Sequence, residues 1–253
     1  MKQFKNLKKK YKIFKIFDIK FHDISFEILS KKLSSGVLVM FPAAPALVKI
    51  FNDQSYHKSL KNSDYVLFDS GYLCMLLRFL KNIHVKKLSG LKFLILFLDK
   101  LKKSKKKLFL INPSETDNKI NDQYCKSIGI KTYKGYVAPH YSNNIEDEKL
   151  LKILKKLKPK YILINIGGGT QEKLGLFIKK KTKFNSSIIC SGAAIAFLTG
   201  RQARIPLFID RLFMGWFFRI IFNPQIYFNR YLDSLKLFFM IKNTNVSESY
   251  DNK

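Results

Sequence analysis

Short apolar runs alternate with longer amphipathic stretches along most of the chain, and this alternation predicts its fold. The apolar runs predict strands at Val37–Met40, Tyr65–Phe68, Leu108–Asn112, Ile130–Tyr133, Tyr161–Ile166 and Ser187–Cys190. The amphipathic stretches predict helices near Ala44–Phe51, Gly71–Lys81, Leu91–Lys103, Glu115–Ile128, Glu146–Leu157 and Gln171–Lys181. Such alternation favours an α/β fold with a mostly parallel sheet and helices on both faces.

Two of the predicted strands, Leu108–Ile111 and Tyr161–Ile166, are interpreted as apolar throughout, which is typical of strands buried on both sheet faces. No internal repeat and no Pro/Ser linker marks a domain boundary. We therefore predict one α/β domain followed by a helical appendage. The predicted bounds are 1–200 for the domain, including a basic N-terminal segment at 1–25, then 201–243 for the amphipathic appendage and 244–253 for a tail.

Small or polar residues follow four of the predicted strands. In open α/β sheets ligands bind beyond the carboxyl ends of the strands, so these positions predict a ligand cleft. Glycines there let backbone N–H groups approach phosphate, and the N-terminus of a following helix adds partial positive charge. The residues are Asp69, Ser70 and Gly71; Lys134, Gly135 and Tyr136; Gly167, Gly168, Gly169, Thr170, Gln171 and Glu172; and Ser191, Gly192, Ala193 and Ala194.

Asp69 is the candidate catalytic residue. A carboxylate at the cleft can act as a general base on a sugar or alcohol hydroxyl, a role worth ~10²–10⁴-fold in rate. The alternative is that Asp69 caps the helix predicted to begin near Gly71, as Asp often does.

The glycine-rich stretch 167–172 resembles a phosphate-binding turn between a strand and a helix. It is neither G-x-G-x-x-G nor a Walker loop, which gives a dinucleotide site little support. Gln171, at the predicted helix start, is a candidate to hydrogen-bond a nucleotide or a sugar. The alternative is a tight turn that needs glycine for a positive φ.

The stretch 201–240 differs from the rest because it combines aromatic residues with arginines. Five of the six arginines of the chain lie between 201 and 230. The guanidinium fork suits phosphate or carboxylate clamps, and an aromatic, cationic helix is typical of an interfacial membrane element. The alternative is a buried helix whose arginines pair with acids. The candidate acceptor or membrane residues are Arg204, Arg211, Trp216, Arg219 and Arg230.

The charge of +29, from 47 basic and 18 acidic residues, favours polyanionic partners. Because nearly all the basic residues are Lys, part of the excess is equally explained by codon bias acting on a solvated surface. A non-catalytic nucleic-acid-binding protein, with patches at Lys102–Lys107 and Lys152–Lys160, is therefore kept as an alternative. Another α/β nucleotide-binding enzyme, such as a methyltransferase, is a third.

Three scattered cysteines and isolated histidines make a disulfide framework or a bound metal unexpected, and they fit a reducing compartment. No run reaches the ~18–20 apolar residues that span a membrane, and lysines interrupt the apolar residues of the N-terminus, unlike a signal peptide. We expect a cytoplasmic protein that is peripheral at the inner face of the membrane. A homo-oligomer is left open.

The order of five motifs, from about Val37 to Leu232, resembles the WecG/TagA/CpsF glycosyltransferases, glycosyltransferase family 26. The family's Asp-Gly and Arg-x-x-Gly are matched by Asp69–Gly71 and Lys87–Gly90. Its G-x-G-x-P-K-Q-E turn is similar to Ile166–Glu172, and its V-G-x-x-F-D-x-x-x-G to Ser191–Gly200. The terminal family motifs are similar to Arg204-Ile-Pro206, Gly215-Trp-Phe-Phe-Arg219, Asn223-Pro224 and Arg230-Tyr231.

The resemblance implies a Rossmann-like, metal-independent glycosyltransferase. Such enzymes move an N-acetylhexosamine or related sugar from a UDP donor to a polyprenyl-diphosphate-linked acceptor in cell-surface polysaccharide synthesis. It implies that Asp69 is the base and that the reaction inverts the configuration at the anomeric carbon. It also implies that the protein uses no cofactor and binds no nucleic acid. It also implies that the appendage arginines contact the diphosphate and an anionic membrane surface. The substrate-binding candidates are Ser70, Gly71, Lys87, Gly90, Tyr136, Gly167, Gly168, Gly169, Gln171, Glu172, Ser191, Gly192 and Ala193.

Several positions depart from the family pattern. The Thr-x-Asn after the first strand is Phe41-Pro42-Ala43, and the Arg is Lys87, which keeps the charge but loses the fork. The Glu residues before Trp216 and Pro224 are Gly215 and Asn223. Altered sugar or acceptor specificity fits these changes, and so does a degenerate enzyme.

Overall fold

A sheet of nine strands runs through the part of the chain that the computed structural model describes, namely residues 11–142, 145–202, 221 and 224–251. In spatial order the strands are β6-β5-β7-β8-β3-β4-β2-β1-β9. The seven strands from β6 to β2 pair in parallel, whereas β1 runs antiparallel to both β2 and β9. The strands are β1 Lys12–Ile16, β2 Ile19–Asp23, β3 Leu38–Met40, β4 Tyr65–Leu67, β5 Leu108–Asn112, β6 Tyr136–Val137, β7 Tyr161–Ile164, β8 Ser187–Cys190 and β9 Ser247–Tyr250.

Helices cover both faces of this sheet, which confirms the predicted α/β, Rossmann-like class. Several begin at a polar residue whose side chain accepts a hydrogen bond from the first turn, for example Ser89 from the N–H of Lys92 at 3.2 Å. The helices of the described residues are α1 Phe26–Lys32, α2 Ala44–Leu47, α3 Gln54–Lys61, α4 Gly71–Lys81, α5 Gly90–Lys102, α6 Glu115–Ser127, α7 Glu148–Leu157, α8 Thr170–Lys181, α9 Ala194–Leu198, α10 Pro224–Ser234 and α11 Lys236–Lys242.

The core has two layers, one on each side of the sheet, because successive side chains of a strand point to opposite faces. In β5, Phe109 and Ile111 belong to one buried cluster, and Leu108 and Leu110 belong to the other. The strands β5 and β7 are covered on both sides, as their apolar runs predicted.

Both ends of the chain contribute to one edge of the sheet. The predicted basic N-terminal segment contains the hairpin β1–β2, whose turn uses positive φ angles at Phe17 and Asp18. The predicted tail contains β9, which pairs with β1, and Lys12 forms an ion pair with Glu248 across that pairing. The described residues of both segments therefore contribute strands to the α/β sheet.

The strand predicted at Ile130–Tyr133 is wrong. Only Thr132 forms a bridge there, parallel to Leu108, and the edge strand β6 begins later, at Tyr136. The reason is that the chain makes two backbone hydrogen bonds with Leu108 and then leaves the sheet before Gly135. Among the described residues, no helix is both long enough and apolar enough to cross a bilayer.

Candidate active site

A cavity of about 440 Å³ opens at the carboxyl ends of the central strands. Segments that follow β3, β4, β7 and β8 form its floor, and the first turns of α4, α5 and α8 reach its rim. Parallel strands all end at the same edge of a sheet, so residues far apart in sequence meet here. The predicted site residues that line the cavity are Asp69, Ser70, Gly71, Lys87, Gly90, Gly167, Gly168, Gln171, Glu172, Ser191, Gly192 and Ala193.

Asp69 lies two residues beyond the end of β4 and is half-buried. Its Oδ1 atom accepts a hydrogen bond of 2.7 Å from the backbone N–H of Gly90, the first residue of α5. The partial positive charge of a helix N-terminus stabilises the ionised carboxylate. The alternative that Asp69 caps α4 is wrong, because Ser70 does so by accepting from the N–H of Leu73 at 3.1 Å.

The glycine-rich turn links β7 to α8. Gly169 has a φ of 91°, which a residue with a side chain adopts only with strain, and its N–H donates to Oε2 of Glu172 at 2.7 Å. This one segment therefore contains the tight turn that the sequence offered as an alternative, and it also lies at the predicted ligand cleft. Gly167 and Gly168 present their backbone to the cavity.

Gln171 and Glu172 connect this turn to the loop after β8. The Nε2 atom of Gln171 donates to Oε1 of Glu172 at 3.0 Å, and Oε1 of Gln171 accepts from the N–H of Gly192 at 2.7 Å. Gln171 lines the cavity, but each end of its amide already has a protein partner. It acts as a brace between the two loops that form this wall.

Glu172 is completely buried, and burial raises its pKa to about 7. The bonds from Gly169 and Gln171 favour the ionised form and oppose that rise, whereas the negative charge of Asp69 adds to it. The site therefore contains one half-buried carboxylate and one fully buried carboxyl group close enough to interact.

Positive charge reaches the cavity through Lys49 and Lys87, and Tyr231 and Asp233 of α10 form part of another wall. Asp233 also forms an ion pair with Lys236 at 2.9 Å. The appendage therefore contributes to the cavity through α10.

The structure does not bring every predicted residue to this cavity. Tyr136 lies on the edge strand β6, and its hydroxyl donates to the Asp147 carboxylate at 2.9 Å, so its assignment as a substrate-binding residue is corrected. Gly169 belongs to the turn without lining the cavity. Arg230 falls within α10. The remaining predicted acceptor residues, Arg204, Arg211, Trp216 and Arg219, lie outside the described residues.

Several lining residues were missed from the sequence, notably Lys49 and Asn165. The signal for Asn165 was present, because it is the polar residue in the run predicted to be apolar throughout. Within the described residues, no group of three or more His, Cys, Asp or Glu side chains is arranged to hold a metal ion.

Comparison with known proteins places this geometry in context. Residues 14–249 match the model of the glycosyl transferase WecG/TagA/CpsF family. The chain is similar to the N-acetylglucosaminyldiphosphoundecaprenol N-acetyl-beta-D-mannosaminyltransferase of Staphylococcus aureus (strain NCTC 8325 / PS 47), at 21% identity over 196 residues, 75% of this chain and 74% of that protein. It is 26% identical over 181 residues, 68% of this chain and 66% of the relative, to the Bacillus subtilis (strain 168) protein of the same name.

Proposed function

This chain belongs to the glycosyl transferase WecG/TagA/CpsF family and is a glycosyltransferase, and we propose that it moves a hexose or N-acetylhexosamine-type sugar from a UDP donor to a polyprenyl-diphosphate-linked acceptor. The names of the relatives specify an N-acetylmannosaminyl group and an N-acetylglucosaminyl-diphosphoundecaprenol, which supports the class of the transferred sugar and the class of the acceptor. The product is a precursor of a cell-surface polysaccharide.

The observation that carries this proposal is that Asp69 and the Gly167–Gly168 backbone line one cavity. Asp69 follows β4 and the glycines follow β7, with β8 and β3 between those strands. Three strand spacings of about 4.8 Å separate the two groups by roughly 14 Å along the sheet. A catalytic carboxylate at one end of the cavity and a phosphate-binding turn at the other suit an extended nucleotide-sugar.

Asp69 acts as the general base. The Gly90 N–H fixes one carboxylate oxygen, and the carboxylate removes the proton of the acceptor hydroxyl as that oxygen attacks the anomeric carbon. The hydroxyl oxygen forms the new glycosidic bond while the bond to the UDP oxygen breaks. A single displacement of this kind inverts the anomeric configuration.

The leaving diphosphate is neutralised by groups of the chain itself. The N-terminus of α8, a helix of 12 residues, lies at the glycine-rich turn, and Lys49 and Lys87 add full positive charges to the cavity. These groups stabilise the charge that develops on UDP, and we propose that turnover needs no metal ion.

The acceptor approaches from a membrane surface at the cytoplasmic side. Large apolar side chains are exposed on α4, α10 and α11 and at the residue between α10 and α11, with Arg78, Lys236 and Lys242 exposed among them. Aromatic and aliphatic groups flanked by basic ones suit the headgroup region of an anionic bilayer. These apolar residues are Phe79, Phe228, Leu232, Leu235 and Phe239.

A donor screen tests the proposal. The full chain is incubated with N-acetylglucosaminyl-diphosphoundecaprenol in detergent and with UDP-sugars one at a time, and UDP release is measured with and without a chelator. We expect acceptor-dependent UDP release from one donor that the chelator leaves unchanged. Release from no donor would contradict the proposed transfer to this acceptor, and loss on chelation would refute metal independence.

A further inference from the structure

A row of polar side chains crosses three strands at the floor of the cavity. The pairing of Ile111 with Ile164, and of Ile164 with Cys190, makes the next residues neighbours: Asn112, Asn165 and Ser191. Strand alternation puts all three on the face that carries Leu110, Leu163 and Ile189. All three are buried.

An amide network fixes the orientation of Asn165. The Oδ1 atom of Asn112 accepts from Nδ2 of Asn165 at 2.9 Å and from Nδ2 of Asn121 at 2.7 Å. The Nδ2 atom of Asn112 donates to Oδ1 of Asn118 at 2.8 Å. Because the Asn165 nitrogen is engaged on the Asn112 side, its oxygen is left for another partner.

That oxygen has no hydrogen-bond partner within the described structure, and neither does the hydroxyl of Ser191. Asn165 is 6% exposed and Ser191 is 7% exposed, and both line the cavity. A buried polar atom without a partner destabilises a protein, so two such atoms on neighbouring strands in one ligand cavity point to a missing ligand group.

We infer that Asn165 and Ser191 form a hydrogen-bonding pair that recognises the edge of the donor's uracil base. Oδ1 of Asn165 accepts from the N3–H group, and the hydroxyl of Ser191 donates to a neighbouring carbonyl oxygen of the ring. The pair thereby selects the nucleotide. This inference rests on the proposed UDP-sugar donor.

The position of Asn165 and Ser191 favours contact with the nucleotide over contact with the transferred sugar. The sugar must lie beside Asp69, where the acceptor hydroxyl attacks. In the sheet order, Ser191 is two strands from Asp69 and Asn165 is three, which corresponds to roughly 10 and 14 Å. A nucleotide-sugar that extends from Asp69 across β3 and β8 brings its nucleotide, not its sugar, to Asn165. Within the nucleotide, Oδ1 of Asn165 needs a hydrogen-bond donor, which the uracil ring supplies and the ionised diphosphate does not.

Calorimetric titration of the full chain with UDP and with its 3-methyluridine analogue tests this pair. The methyl group removes the N3–H donor, so we expect the analogue to bind the wild-type chain at least tenfold more weakly than UDP. Ser191→Ala should weaken UDP binding roughly five- to tenfold through loss of one hydrogen bond. Its thermal unfolding midpoint should not fall, because the hydroxyl it removes has no partner.

Ser187→Ala is the matched control on the same strand. The hydroxyl of Ser187 is fully buried but satisfied, since it donates to the carbonyl of Leu33 at 2.5 Å and accepts from the N–H of Val37 at 3.2 Å. This variant should lower the unfolding midpoint and leave UDP affinity unchanged.

Three outcomes would overturn the inference. The first is equal binding of UDP and its analogue by the wild-type chain. The second is unchanged UDP binding by Ser191→Ala. The third is a Ser191→Ala defect that weakens binding of a UDP-sugar but not of UDP, which would assign the pair to the sugar. In each of these the proposed donor class survives, because the wild-type chain still binds UDP. A wild-type chain that binds no UDP would refute the proposed donor and this inference together.

Discussion

The backbone N–H of Gly192 donates a hydrogen bond of 2.7 Å to Oε1 of Gln171, which joins the loop after β8 to the first turn of α8. Gly192 has a φ of 58°, and a Cβ added there would approach the Gln171 amide at 3.3 Å. This close contact holds together two of the loops that line the cavity.

Gln171→Ala should therefore lower the free energy of unfolding by about 2 kcal/mol, because it leaves the Gly192 N–H and one oxygen of Glu172 without their partners. Chemical denaturation measures the change. The control is Gln123→Ala, at an exposed position of α6. Equal stability of the two variants would contradict the bracing role of Gln171.

Glu172 makes the stability of the fold depend on pH. Burial raises its folded pKa to about 7 from the ordinary value of 4.5. Below about pH 4.5 the carboxyl group is protonated in both the folded and the unfolded chain, so folding does not require burial of a charge. As pH rises from about 4.5 through about 7, the free energy of unfolding falls by about 3 kcal/mol, because the unfolded chain releases this proton more readily. We expect Glu172→Gln to gain stability relative to wild type over that interval.

Denaturation curves at several pH values between 4 and 8 measure this difference. Glu146→Gln, an exposed position just before α7, is the control and should follow the wild type at every pH. A constant difference between Glu172→Gln and the wild type across the interval would show that Glu172 does not titrate there.

Asp69→Asn tests the proposed base directly. The amide oxygen can still accept from the N–H of Gly90, so the variant should keep the fold. Loss of the base should lower kcat for acceptor-dependent UDP release by at least about 10²-fold. Asp99→Asn, at an exposed site on α5, should retain full turnover. Near-normal turnover of Asp69→Asn would remove Asp69 from the mechanism.

Where the sequence pattern was purely local, it predicted the elements closely. Leu108–Asn112 and Ser187–Cys190 are strands with the predicted bounds, and Gly71–Lys81 is a helix with the predicted bounds, because a continuous apolar run and the Ser70 cap define them. The hairpin β1–β2 was missed because lysines on its exposed positions interrupt the apolar residues.

Prediction of the site residues required the order and register of the strands, which the local sequence pattern does not contain. Strand ends predicted which segments meet, but only the sheet order and register make Asn112, Asn165 and Ser191 neighbours. Tyr136 follows the same strand-end pattern, yet its ring belongs to the buried core and its hydroxyl is held by Asp147. Side-chain direction at an edge strand depends on tertiary packing.

The proposed membrane contact makes a prediction about Phe79 of α4 and Phe239 of α11, two helices that pack together. Their side chains are 75% and 65% exposed, so replacing both with Ser removes apolar surface without disturbing the core. Liposomes that contain anionic lipid should bind the Phe79→Ser/Phe239→Ser variant at least tenfold more weakly than the wild type, since each ring contributes apolar burial in the bilayer interface.

Flotation of the chain with these liposomes measures the effect, and Ile95→Ser supplies the control. Ile95 lies on α5, which packs on the opposite layer of the core from α4, so this variant should float like the wild type. Turnover with a detergent-solubilised acceptor should be the same for all three proteins, because neither Phe79 nor Phe239 lines the cavity. Equal flotation of the double variant and the wild type would show that this apolar surface does not bind the membrane.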